Sequence, residues 1–292
     1  MYEVNGYIPM RQTKVPVKHP SSNHPIRKLS IIIPCYNEAA TIAVILNKVV
    51  EVELVSNIKK EVIVVNDCSM DESDRIIKEY ILENSDLNIH YFCHDFNMGK
   101  GASIHTGIRH ASGDYLLIQD ADLEYDPEEY NTLLTPILKG QADVVYGSRF
   151  IGGSAHRILF FWHSIGNRFL TLLSNACTNQ NLTDMETGYK MFRMDLVKAI
   201  PLQEKRFGFE PEVTAKIAAI SGTRIYEVGI SYYGRTYKEG KKIKWRDGVR
   251  TVFCILKYGL LSSYFSRSTK TNLAISAVSA SGYPSTAPVH HI

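Results

Sequence analysis

The stretch Tyr115-Leu116-Leu117-Ile118-Gln119-Asp120-Ala121-Asp122-Leu123-Glu124 decides how this chain is read. Its first half is a continuous apolar run introduced by Ser112-Gly113, the pattern of a parallel strand buried on both faces. The run passes directly into acid. On an extended chain Asp120, Asp122 and Glu124 point to one face, consecutive members about 6 to 7 Å apart at roughly 3.3 Å per residue. At that spacing one hard cation with its waters can bridge two carboxylates and a phosphate. A polar loop closing a buried strand would carry the same residues, so the flanking sequence has to separate the two readings.

Working outward, strand and helix patterns alternate. Leu29 to Ile33 reads as a buried strand stopped by Pro34, and Ala39 to Val50 has helical spacing through Ile42, Ile45, Leu46 and Val49. Glu61 to Val65 is a second strand and Asp71 to Leu82 a helix. Ile89 to Cys93, the helix Gly101 to His110 and the strand from Tyr115 follow. Such alternation implies right-handed crossovers and a mostly parallel sheet covered on both faces, with ligands gathering beyond the carboxyl ends of its strands. The polar punctuation falls at those ends: Pro34-Cys35-Tyr36-Asn37-Glu38, Asn66-Asp67 and Asp120-Ala121-Asp122.

Downstream, Asp126-Pro127 opens a helix to Lys139, with Asp126 as N-cap and Pro127 in its first turn. Val144 to Arg149 is a further strand, and Arg157 to Cys177 a helix rich in apolar and aromatic residues. A loop from Thr183 then enters a strand near Lys190. Phe209 to Ile220 is a helix, Arg224 to Tyr233 a strand, and Lys244 to Phe265 a long helix with charge on one side. The expected organisation is a basic arm over residues 1–28, a main domain over 29–248, an amphipathic helix over 249–266 and a Ser, Ala, Thr and Pro-rich tail over 267–292.

A chain of 292 residues with 45% hydrophobic and 22% charged residues can bury a substantial core, and a formal charge of +3 is too mild to argue for nucleic acid. The five cysteines are scattered and form no Cys-x-x-Cys pair, which points away from a disulfide framework or zinc site and toward a reducing compartment. The N-terminus has no apolar signal core and no window reaches about 18 uninterrupted apolar residues, so no membrane crossing is expected.

Dinucleotide binding needs Gly-x-Gly-x-x-Gly after the first strand, where this chain has Pro-Cys-Tyr-Asn-Glu. Asn97-Met98-Gly99-Lys100-Gly101 lacks the first glycine and the Ser or Thr of a phosphate-binding P-loop, although its glycines would let a backbone approach a nucleotide with Lys100 near phosphate. Taken together, Pro34-Cys35-Tyr36-Asn37-Glu38, Asn66-Asp67-Cys68-Ser69, Asn97 to Gly101, Asp120-Ala121-Asp122, Gly147-Ser148-Arg149 and Asp184 with Gly188-Tyr189-Lys190 resemble the family 2 glycosyltransferases. The resemblance covers roughly Leu29 to Gly248. It is strongest for the branch that glycosylates polyprenyl phosphate or dolichyl phosphate with mannose or glucose. Asn66 stands where that family often has aspartate, and Cys68 where glycine is common.

The resemblance implies an α/β GT-A fold, a mostly parallel sheet flanked by helices, and an inverting transfer from a nucleotide sugar such as GDP-mannose or UDP-glucose. Pro34, Tyr36, Glu38 and Asp67 would line the base and ribose pocket, completed by Lys100, Gly101 and Asp120. Asp120 and Asp122 would hold Mg2+ or Mn2+, Asp122 more directly, with Glu124 as a further ligand. A metal there offsets the charge that the departing diphosphate gains.

On the acceptor side, the resemblance places Arg235 and Lys241 at a lipid phosphate, in a segment from Arg235 to Arg250 that carries seven basic residues against two acids, with Arg149 a candidate for the same anionic path. A solvated charge run has the same composition, but the helix that follows is amphipathic, through Trp245, Val249, Val252, Phe253, Leu256 and Tyr258. Peripheral contact with the cytoplasmic face of a membrane is therefore expected, with a membrane-protein partner allowed for. An ionised phosphate acceptor needs positioning and charge neutralisation rather than a base. A hydroxyl acceptor, as in cell-surface polysaccharide synthesis, needs one, and Asp184 or Glu186 is then the candidate. A non-catalytic subunit that only binds nucleotide sugar is a third reading.

Overall fold

The computed structural model describes residues 26–152, 157, 158, 160–236 and 245–260. The expected tail and all but residues 26–28 of the expected basic arm lie outside them. Elements follow in the order β1 (Lys28–Cys35), α1 (Ile42–Glu51), β2 (Lys59–Asn66), α2 (Ser73–Glu83), β3 (Ile89–Cys93), α3 (Lys100–His110), β4 (Tyr115–Ile118), α4 (Tyr130–Leu138) and β5 (Val144–Ser148). Then come α5 (Phe161–Thr178), β6 (Lys190–Arg193), α6 (Met194–Ala199), α7 (Phe209–Ala218), β7 (Ile225–Gly229) and α8 (Trp245–Leu260). Within residues 26–28, Ile26 packs against the core and Lys28 pairs with Lys59 across β1 and β2.

The strands form one sheet in the order β3-β2-β1-β4-β6-β5-β7. β1 is parallel to β2 and β4, β2 to β3, and β5 to β7, whereas β6 runs antiparallel to β4 and β5. The mostly parallel α/β architecture expected from the strand and helix alternation is thus what forms. Ile31, Ile32 and Ile33 of β1 and Leu116 and Leu117 of β4 are fully buried because helices cover both faces. One face packs Ile42, Ile45 and Leu46 of α1 with Leu133 and Leu134 of α4. The other packs Ile104 of α3, Val213 and Ile217 of α7 and Ile255 of α8.

The chain steps from β1 to β2 and β3 on one side and returns to β4 on the other side of β1. That reversal opens a crevice beyond the carboxyl ends of β1 and β4, where no crossover fills the space. The hydrogen bond from Gln119 N to Ile32 O at 2.9 Å keeps the two strand ends in step and sets Pro34 to Glu38 beside Asp120 to Glu124. The strand ends that the sequence marked with acids and amides therefore converge.

Candidate active site

β4 ends at Ile118, and Asp120 to Glu124 follow as a turn rather than as extended chain. Leu123 takes a left-handed φ of 63°, and Glu124 N donates to Asp122 Oδ1 at 3.1 Å. The expected alternation of the three acids onto one face is thereby replaced by separate partners. Asp120 meets Lys100 Nζ at 2.8 Å, Asp122 meets Arg235 Nη2 at 2.8 Å, and Glu124 accepts from Tyr232 OH at 2.6 Å and from Arg235 N at 2.7 Å. Among the described residues no cluster of three or more His, Cys, Asp or Glu side chains stands ready to hold a metal ion. The three-acid set of Asp120, Asp122 and Glu124 is thus not preassembled. Asp120 and Asp122 fit a hard cation as a partial oxygen shell of the kind that a diphosphate completes.

These groups line a cavity of about 700 Å3 together with Pro34, Tyr36, Glu38 and Asp67. Lys100 opens α3, and Gly99 before it has φ 100°, a conformation that favours glycine. A Cβ on Gly101 would lie 2.4 Å from Glu204 O, so this turn can press against the 204–206 backbone only as glycine. Asp67 is buried, and its carboxylate already accepts from Met98 N at 2.8 Å, Gly99 N at 2.6 Å and His94 at 2.7 Å. It shapes the loop that presents Lys100. Burial works against the Lys100 charge, but Asp120 and Glu210 more than offset it and hold its pKa above the ordinary lysine value. Burial, reinforced by the Asp120 and Glu124 charges, pushes Asp122 up to about 7.

Asp184, a candidate base in the sequence, is 0% exposed. Its carboxylate accepts from Arg149 Nε at 2.6 Å, Arg149 Nη2 at 2.7 Å, Arg149 N at 3.1 Å and Asn167 Nδ2 at 3.1 Å. Burial opposes the negative charge, yet these donors keep its pKa below the usual carboxylate range. A carboxylate so occupied positions Arg149 and does not take up a proton. Glu186 does reach the cavity, with a buried Oε1 that has no hydrogen-bond partner. Burial and the nearby Glu210 charge push it up to about 8.

Arg149 and Tyr232 also line a second cavity, of about 250 Å3, with Arg157 and Arg168. Arg250, by contrast, is spent on Glu204 at 2.7 Å, and Lys241 lies outside the described residues. Sequence reading missed Glu210, Arg206, Tyr232, Arg157 and Arg168, which line one or both cavities. Arg157 and Arg168 sit in and beside a helix whose apolar composition hides them. The five-residue run Arg206-Phe207-Gly208-Phe209-Glu210 was legible only as a helix start.

Next to this second cavity, α5 exposes Phe161, Trp162, Ile165, Phe169 and Leu172, with Trp162 78% exposed. α8 packs on α5 and exposes Val249, Phe253, Leu256 and Leu260 at helical spacing. Its Tyr258, counted with the same apolar residues in the sequence, is instead buried and donates to Glu204 Oε1 at 2.8 Å. Among the described residues no helix is long and apolar enough to cross a membrane.

The model of glycosyl transferase family 2 matches residues 30–200, which span every strand end that builds the larger cavity except the segment carrying Arg235. The chain belongs to glycosyl transferase family 2. Among relatives of this family 2 glycosyltransferase, a dolichyl-phosphate beta-glucosyltransferase of Trichomonas vaginalis is 27% identical over 265 residues, 83% of this chain and 78% of that protein. An undecaprenyl-phosphate 4-deoxy-4-formamido-L-arabinose transferase of Yersinia pestis is 26% identical over 221 residues, 76% of this chain and 64% of that protein. The fold is shared with glucosyl-3-phosphoglycerate synthase of Mycobacterium tuberculosis, solved with Mn2+, uridine diphosphate and phosphoglyceric acid. The TM-score is 0.61 at 18% identity, over 80% of this chain and 78% of that one.

Proposed function

We propose that this glycosyltransferase moves a hexose from a nucleoside diphosphate sugar to the phosphate of a polyprenyl lipid, with inversion, at the cytoplasmic face of a membrane. The observation that carries the reading is the pairing of the two cavities through Arg149. One is walled by carboxylates and Lys100, and the other by Arg149, Arg157 and Arg168 beside an exposed aromatic helix face. The first suits a nucleoside diphosphate and the second an anionic head group whose tail lies in lipid. The polyprenyl-phosphate acceptors for which two relatives are named support the same assignment.

In the transfer, an ionised oxygen of the lipid phosphate attacks the anomeric carbon while the bond from that carbon to the diphosphate breaks. The electron pair and the negative charge leave on the nucleoside diphosphate. No proton has to be removed, which agrees with a site whose Asp184 is occupied by Arg149. A hydroxyl acceptor would need a free ionised base at this point. Tyr36, Asp67 and the Asn97 to Gly101 turn would frame the nucleoside, and Lys100 would face its phosphates. Glu186, whose Oε1 is buried without a hydrogen-bond partner, would hydrogen-bond a sugar hydroxyl. Asp120 and Asp122 would hold Mg2+ or Mn2+, which when bound supplies positive charge to the leaving diphosphate. The Mn2+ found with uridine diphosphate in the structurally similar synthase supports that assignment.

Docking would come from α5 and α8. Burying one large apolar side chain is worth roughly 1.5–3 kcal/mol, so the exposed residues of the two helices suffice for reversible attachment. The test is a donor screen with UDP-glucose and GDP-mannose. Dolichyl phosphate, undecaprenyl phosphate and saccharide acceptors are compared for release of nucleoside diphosphate and for labelled lipid. Transfer to saccharides but to neither lipid phosphate would overturn the proposal.

A further inference from the structure

Arg235 reaches the acid cluster from the segment after β7. Its Nη2 donates to Asp122 Oδ2 at 2.8 Å, and Nη1 and Nη2 each reach a Glu38 oxygen at 3.2 Å. Its Nε stands 3.7 Å from Glu124 Oε1 and has no acceptor within hydrogen-bond distance. The guanidinium is thus stretched over three acids and makes one short bond, to Asp122. Lys100 takes the fourth acid, Asp120. A divalent ion arriving with a diphosphate would have to share these carboxylates with both cations. The carboxylate best suited to that ion is the one that Arg235 holds, and two cations at hydrogen-bond range of one oxygen repel strongly in a partly buried site.

We infer that Arg235 is a resident counter-ion of Asp122 that competes with the divalent cation, so that loading of the donor side displaces this arginine from Asp122. The inference rests on the donor-site reading above and deepens it.

The test needs neither acceptor nor turnover. Mn2+ alone is titrated into the wild-type protein, R235Q and R235K, and free Mn2+ is read by electron paramagnetic resonance. Removing the competing charge should tighten Mn2+ binding about tenfold in R235Q, with R235K in between. Equal or weaker binding in R235Q overturns the inference, because an arginine that supports the cation would lose affinity when removed. A second measurement holds even if R235Q folds poorly. The Nε resonance of Arg235 in the wild-type protein should move on adding Mg2+, and a resonance unmoved at saturating Mg2+ overturns the inference. Competition in a protein that glycosylates no lipid phosphate would remove the acceptor reading and leave the counter-ion role standing.

Discussion

Arg149 and Asp184 form a buried two-point ion pair, Nε to Oδ2 at 2.6 Å and Nη2 to Oδ1 at 2.7 Å, which ties the end of β5 to the loop before β6. Glu227 of β7 fastens the same loop, accepting from Thr183 N at 2.8 Å and Asp184 N at 3.1 Å. The pair places one guanidinium at the wall shared by both cavities. Asp184→Asn should lower stability by about 3–5 kcal/mol, the usual cost of leaving one member of a buried pair uncompensated, read from denaturant unfolding. Arg149→Lys keeps the charge but loses the two-point geometry. Its KM for lipid phosphate should rise several-fold with little change in donor KM.

Asp122→Asn should leave the melting temperature close to that of the wild type and reduce turnover by a factor of about 100 or more, roughly the loss expected when charge stabilisation of a leaving group is removed. Chelation of divalent ions should stop the wild-type enzyme to a similar extent. Full activity of the variant in chelator would contradict a metal role for this carboxylate.

Gly101→Ala should destabilise the protein by roughly 1–3 kcal/mol, because the new Cβ would meet Glu204 O at 2.4 Å and backbone cannot rotate away. Gly188→Ala strikes a different target, Asp120 Oδ2 at 2.5 Å, and should weaken donor binding more than folding. Unfolding curves and nucleoside diphosphate titrations separate the two.

His105 supplies a pH dependence of stability. Burial first, and then the Arg109, Lys216 and Lys205 charges, lower its pKa to about 4 from the ordinary 6.5. Between those values the unfolded chain takes up a proton that the folded protein refuses. Stability from this group is therefore present above about 6.5 and lost as pH falls toward 4. The full effect is at most ~3.5 kcal/mol at about 1.4 kcal/mol per unit. His105→Gln should flatten the wild-type melting curve over that acidic window, measured as the difference between the two proteins.

Trp162→Glu and Phe253→Glu should each weaken sedimentation with anionic vesicles about tenfold or more, since each replaces apolar surface worth roughly 1.5–3 kcal/mol with a charge. Folding should be untouched, because both side chains are exposed in the isolated protein. Unchanged vesicle binding would remove α5 and α8 as the docking surface.

Much of the fold is legible in the sequence. Apolar runs ending in Pro34, Asn66 and Asp120 mark strands because a buried parallel strand has no other way to read, and their polar ends mark the crevice because no crossover helix covers it. The helix α1 is equally plain from Ile42, Ile45, Leu46 and Val49, all buried. Helix α7 is less so: its Glu212 and Lys216 are buried against each other at 2.5 Å, and periodicity reads such residues as a solvent face. The apolar surface of α5 misleads in the opposite sense, since a helix apolar on several sides reads as core until its neighbours are known.

The alternating elements, the sheet's functional edge and the acids at that edge follow from residue order alone, because local pattern and strand-end position are short-range properties. How those acids are used follows from the packed fold. A left-handed turn at Leu123 broke the alternation that would have grouped Asp120, Asp122 and Glu124. Arg235, 113 residues away along the chain, then claimed Asp122, and Arg149 claimed Asp184. Which cation meets which carboxylate depends on long-range packing, and no spacing within one segment encodes it.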